Sequence, residues 1–229
     1  MVNDRKRFES FLHSVNLVKY RELYNPIKIV EMDLDRNIHA LSLLYRIYWS
    51  ERIFLPYEDF YNRYLKEKKT ELEAFRTKIQ MCESCFYKGL PARIYRTWAS
   101  IITQIQGAYV AEGIFGSGSV EMSEELDHKG ADFRITYNGS IINCQVKKES
   151  YSREVRQPKK GKAKLDGEWL EIGYFVPPGD VFENPRKLDG SYKKPYLRFK
   201  SDKRLERLPN GFVIFTDLLF VPLKKKLSG

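Results

Sequence analysis

The sequence predicts a mixed α/β chain, and three observations carry that expectation. Between residues 3 and 112, apolar side chains recur every three or four positions. Asn138-Gly139 then sits between two runs of β-type residues. Positive charge gathers at the end: residues 151–229 carry 18 Lys+Arg against 10 Asp+Glu, while residues 1–150 carry 22 against 20. The expected division is a helical N-terminal region, 1–115, and a hairpin-bearing core with a basic C-terminal region, 116–229, in one continuous structural unit.

Residues 3–24 place Phe8, Phe11, Leu12, Val15 and Leu17 at helical spacing, and Pro26 breaks the pattern. Ile38 to Tyr48 puts Leu41, Leu44, Tyr45 and Tyr48 on one face. Pro56 ends the next stretch, and Tyr57 to Phe86 reads as one or two helices with a face of Glu and Lys. Leu90 to Glu112 is the clearest helix, with Ile94, Trp98, Ile101, Ile105 and Ala108 in register. Gly107 inside it costs about 1 kcal/mol against Ala, so close packing is the expected reason for it. Gly113 to Ser119 (GIFGSGS) is a turn region, and strands follow.

Composition narrows the function. The 229 residues have a net charge of +10, 42% apolar and 14% aromatic residues. That apolar content supports a sizeable core and excludes a disordered polybasic chain. No stretch of eighteen apolar residues predicts a membrane span, and Met1-Val2-Asn3-Asp4-Arg5 is unlike a signal peptide. Three cysteines do not make a disulfide framework, so an intracellular protein is expected. Cys82-x-x-Cys85 has no second ligand pair at zinc spacing. No phosphate loop ending in Lys-Ser/Thr is present. A basic region on a nearly neutral body suggests a polyanionic partner.

The hairpin carries the chemistry. A two-residue type I′ turn at Asn138-Gly139 sets Tyr137 against Ser140, Ile135 against Ile142 and Phe133 against Cys144. Extended one step, it sets Asp132 against Gln145. Alternation then gives a core face of Phe133, Ile135, Tyr137, Ile142, Cys144 and Val146. The opposite face carries Asp132, Arg134, Thr136, Asn143, Gln145 and Lys147. A solvated surface would use the same residue types. The chemical reading is a hard-cation site: Asp132 and Gln145 supply oxygen, Asp127 reaches a second metal or a ligating water, and Lys147 sits beside an attacking water. That set suffices for in-line hydrolysis of a phosphodiester.

Asp132, twelve residues, then Gln145-Val146-Lys147 resembles the PD-(D/E)xK nuclease signature, with Gln in place of the usual acid. Further segments resemble the TaqI family of type II restriction endonucleases: PIKIVEMDL at 26–34, ARIYRTWASIITQIQGAY at 92–109, ELDHKGAD at 125–132 and QVKK at 145–148. The segments cover roughly residues 10–155. The resemblance implies a PD-(D/E)xK core and a Mg²⁺-dependent endonuclease. It would act as a homodimer on double-stranded DNA at a short palindrome, TCGA in the best-known members. It maps two family acids onto Asp127 and Asp132, and Gln-Val-Lys onto Gln145, Val146 and Lys147. The candidate metal set is thus Asp132, Asp127, Gln145 and Val146. It further implies a prokaryotic cytoplasmic protein with a methyltransferase that protects the host's own sites.

Arg93 and Arg96, three apart on one helix, are candidates to grip phosphates. Tyr151, Arg153, Arg156, Lys159, Lys160, Lys162 and Lys164 follow the catalytic strand and are expected to run along DNA backbone. Arg186, Asn184 and Arg198 are candidates for base edges. Glu112 is a candidate acid near the metal. Cys144, on the core face, is read as packing. Two rivals remain open at this point: a structure-specific nuclease such as a junction resolvase, and a non-catalytic nucleic-acid-binding module.

Overall fold

The structure is a computed structural model that describes residues 4–27, 34–149 and 165–228. It divides into two compact units, Met1–Gln106 with Leu208–Phe212, and Gly107–Arg207 with Val213–Gly229.

The first unit is helical. The periodic stretch near the N-terminus forms two helices, α1 (Asp4–Ser14) and α2 (Leu17–Tyr24), instead of one. Asn16 breaks it: its side-chain oxygen accepts from Lys19 N at 3.0 Å and caps α2. The next apolar face starts in a 3₁₀ turn and a short α3 (Leu41–Leu44), which loosens into a π-helical turn at Tyr45–Ser50. Then come α4 (Tyr57–Glu67), capped by Pro56, α5 (Lys69–Lys78) and the long α6 (Glu83–Phe115). Cys82 caps α6 through its sulfur, which accepts from Cys85 N.

Aromatic rings fill this unit. Tyr57 packs against Tyr20, Tyr24, Tyr95 and Trp98 at centroid distances of 5.3–5.7 Å. Buried polar atoms of the rings in this unit find partners, as burial requires. Trp98 Nε1 donates to Tyr48 Oη at 2.8 Å, and Tyr64 Oη donates to the Ile38 carbonyl at 2.7 Å.

The second unit begins within α6. A four-stranded sheet follows in the order β1 (Val120–Glu121), β2 (Phe133–Tyr137), β3 (Ser140–Glu149), β4 (Glu168–Phe175). The first three strands are antiparallel, and β3 and β4 are parallel. The short α7 (Glu124–His128) lies between β1 and β2 in sequence. After β4 come α8 (Gly179–Glu183), α9 (Lys194–Ser201), the pair β5 (Leu205–Arg207) and β6 (Val213–Phe215), and α10 (Val221–Ser228). The chain is therefore mixed α/β, as the sequence predicts. Among the described residues no helix is long and apolar enough to cross a membrane.

The turn has the predicted chemistry. Asn138 and Gly139 both have positive φ, +47° and +76°. All three predicted pairs form: Tyr137 with Ser140, Ile135 with Ile142, Phe133 with Cys144. Phe133, Ile135, Ile142 and Cys144 are buried, whereas Tyr137 and Val146 are only half-buried. The polar face is not an open surface. Asn143 is fully buried: it accepts from Arg134 Nε at 3.1 Å and donates to the Asp166 carbonyl at 2.9 Å.

Gly107 is there for close approach. A Cβ at that position would lie 3.3 Å from the Phe215 ring and 3.8 Å from Phe133. Gly107→Leu has no room, and overpacking of this kind costs about 1–3 kcal/mol. A fall in the thermal midpoint should show it. Gly107→Ala should be nearly neutral, because a helix-propensity gain of about 1 kcal/mol offsets the tight contact.

Candidate active site

The approach to Asp132 is a capped turn. Ser123 Oγ accepts from Leu126 N at 3.2 Å and starts α7. Gly130, with φ +93°, ends it and feeds the chain toward β2. Asp127 lies in the last turn of α7, and its carbonyl accepts from Gly130 N at 2.9 Å.

Asp132 departs from the extrapolated pairing. The β2–β3 ladder stops at Phe133 and Cys144, and Asp132 is not paired with Gln145. Its own N–H donates to the Cys144 carbonyl at 2.8 Å, one residue out of register. Its carboxylate nonetheless reaches β3, where Oδ2 accepts from Val146 N at 2.5 Å. Asp132 is only 8% exposed. Burial is the main reason its carboxyl is pushed up to about 7; the Val146 N–H opposes the shift, the charge of Asp127 adds to it, and the Lys147 ammonium opposes it. Asp127 and Lys147 therefore both act electrostatically on Asp132.

Gln145, the residue before Val146 on β3, has an unmet need. Its Oε1 is buried and has no hydrogen-bond partner among the described residues. Such an oxygen costs about 1–3 kcal/mol unless an ion or water meets it. Lys147 is half-exposed, and its Nζ pairs with Glu171 Oε2 at 2.5 Å. Glu171 sits opposite Gln145 in the parallel β3–β4 register. Sequence reading missed Glu171, because its place depends on a strand pairing that brings together residues 24 apart, for which no local signal exists.

The donor set suits a hard cation. The Asp132 carboxylate and the orphaned Gln145 amide oxygen are both oxygen donors. Val146 enters through its N–H, so any ligand role would fall to its carbonyl. Among the described residues no three His, Cys, Asp or Glu gather closely enough to hold a metal by themselves. Waters and a substrate phosphate would have to complete any shell.

The other candidates are placed as follows. Arg93 donates to Thr97 Oγ1 at 2.8 Å, and Arg96 donates to the Ile27 carbonyl at 2.7 Å. Both belong to the first unit. Glu112 accepts from Gly118 N at 3.3 Å, bracing the glycine turn. Cys144 is buried and its thiol is pushed up by burial, so it packs as expected. Arg198 pairs with Glu149 and lies over the Phe175 ring. Arg186 is held by Gly190 and Tyr192. Tyr151, Arg153, Arg156, Lys159, Lys160, Lys162 and Lys164 lie outside the described residues.

A buried acid docked on a strand that carries an unmet amide oxygen and a lysine fits many nucleases; the whole-chain comparison is more specific. The profile of the TaqI restriction endonuclease matches residues 5–226. The chain belongs to the TaqI restriction endonuclease family. It is 35% identical over 218 residues to the type II restriction enzyme TaqI of Thermus aquaticus, covering 92% of this chain and 82% of that one. It is 34% identical over 220 residues to the type II restriction enzyme TthHB8I of Thermus thermophilus, with the same coverage. No solved structure matches. The TaqI-family likeness thus extends well past residue 155, where the short segments end, into the basic C-terminal part. Members of this family are site-specific deoxyribonucleases, whose substrate is double-stranded DNA and which generally use a divalent metal.

Proposed function

We propose that this chain is a Mg²⁺-dependent type II restriction endonuclease with a PD-(D/E)xK core, cutting both strands of DNA at a short palindrome, TCGA by family likeness. The observation that carries the reading is the docking of the Asp132 carboxylate on the Val146 N–H, in the strand segment that also carries the orphaned Gln145 oxygen and Lys147.

Asp132 and Gln145 would hold Mg²⁺, with Asp127 supporting it or its waters and the Val146 carbonyl as a further oxygen. When bound, the metal would acidify a coordinated water and shield the phosphate. Lys147 orients the attacking water and offsets negative charge on the phosphoryl oxygens. The water oxygen bonds to phosphorus, the bond to the leaving sugar oxygen breaks, and that oxygen takes up a proton. Residues 116–229 carry this chemistry and residues 1–115 support it. Arg93, Arg96, Tyr151, Arg153, Arg156, Lys159, Lys160, Lys162 and Lys164 contact phosphates, which position the enzyme without reading sequence. Two copies related by a two-fold axis match a palindrome and cut one strand each. In the cytoplasm of a prokaryote, a partner methyltransferase shields the same sites.

Incubation with plasmid and Mg²⁺ should yield discrete bands, and run-off sequencing of the digest should give one short palindrome. Cutting confined to branched substrates would favour a junction resolvase. Binding without cutting, with any divalent metal, would favour a non-catalytic module.

A further inference from the structure

Between α8 and α9 the chain forms a braced three-residue hairpin. Lys187 N donates to the Ser191 carbonyl at 2.8 Å, Gly190 N donates to the Lys187 carbonyl at 3.0 Å, and Gly190 has φ +80°. Below the loop, Arg186 and Tyr192 form an antiparallel bridge. The Arg186 guanidinium donates to the Gly190 carbonyl at 2.7 Å and to Tyr192 Oη at 3.0 Å, and lies 4.3 Å from the centre of that ring. Asp189 Oδ1 accepts from both the backbone and the hydroxyl of Ser191. At the tip stands Leu188, fully exposed at 110%.

Single exposed leucines are common on surfaces. This one differs in its mounting: the side chains of Arg186, Asp189, Ser191 and Tyr192 are spent on holding the loop, and the apolar side chain is presented to water at the far end. A polar residue would serve the turn as well. Residues 186–194 carry Arg186, Lys187, Lys193 and Lys194 against Asp189 alone, so a polyanion is the fitting partner; a second copy of a chain with net charge +10 is a poor match. The place is also right. Tyr192 stacks on Tyr196 of α9 at 5.2 Å, and Arg198 of α9 pairs with Glu149, two residues beyond Lys147 on β3. From Lys193 to Arg198 the helix rises only about 7.5 Å.

We propose that Leu188 is a wedge that enters a base step of the bound duplex, unstacking it while the flanking cations hold the backbone. Rigid apolar side chains between cations act on DNA in this way, and the step that yields most easily is favoured. The inference rests on the nuclease reading above.

The test uses the full chain, Ca²⁺ in place of Mg²⁺, and duplexes carrying the mapped cleavage site. 2-Aminopurine replaces each adenine of the site and its flanks in turn, and permanganate probes the thymines. Wild type should brighten one position severalfold or expose one thymine. Leu188→Ala should remove that signal and, with Mg²⁺ restored, lower kcat/KM severalfold, with an unchanged melting curve, while Leu188→Met retains both. A duplex that is cut yet stays stacked throughout, or a signal that survives Leu188→Ala, overturns the wedge alone. So does a changed oligomeric state of Leu188→Ala without DNA, which would make the tip a protein contact. If no duplex is cut at discrete sites, the nuclease reading fails and the wedge falls with it.

Discussion

Lys147→Ala should lower DNA cleavage by about 10²–10³-fold or more, the order of loss seen when one preorganised donor to developing transition-state charge is removed. Binding of the target duplex in Ca²⁺ should stay within a few-fold of wild type. The structure separates this loss from unfolding. Lys147 is half-exposed, and its pair with Glu171 is a surface ion pair, a class that contributes roughly 0–1 kcal/mol. The variant should therefore melt close to wild type. Single-turnover cleavage, a gel-shift titration and a melting curve on one preparation check all three statements. Undiminished cutting would remove Lys147 from the reaction.

The hairpin was legible in the sequence because its determinants are local. Asn138-Gly139 fixes a turn, the turn fixes a register, and the register fixes which side chains share a face. The same logic failed one residue past the ladder. Asp132 leaves the ladder: its N–H donates to the carbonyl of Cys144, the residue already opposite Phe133. The carboxylate still arrives beside β3, at Val146, through a contact that periodicity does not encode. What could not be read is non-local. The parallel β3–β4 pairing brings Glu171 to Lys147 and Asp166 to Asn143, and neither follows from spacing. In the helical unit, apolar periodicity was continuous through Val15 and Leu17, both buried, yet an asparagine cap cut the helix between them.

The second large effect is opposed in sign for stability and activity. Asp132→Asn should abolish cleavage, because a neutral amide cannot replace a carboxylate as the charged ligand. The same change should stabilise the metal-free protein. The folded-state carboxyl sits at about 7, displaced upward from 3.8 chiefly by burial. Below about pH 4 both folded and unfolded chains hold the proton. Between that and pH 7 the folded chain keeps a proton that the unfolded chain has released, so stability falls as pH rises through this window. Above pH 7 the buried charge is borne in full, beside Asp127. Asparagine stays neutral throughout, and its oxygen can still accept from Val146 N. Each displaced pH unit is worth about 1.4 kcal/mol, so the gain in EDTA at pH 8 is on the order of a few kcal/mol. It should vanish near pH 4. Added Mg²⁺ should narrow the gap by raising the wild-type midpoint and leaving the variant's unmoved, because only the intact carboxylate gains from the cation. Melting curves at pH 4, 6 and 8, with EDTA and with Mg²⁺, give all of these comparisons. An Asp132→Asn protein less stable than wild type at pH 8 in EDTA would mean that the carboxylate is structural and already has its counter-charge, and it would no longer be available to hold a metal.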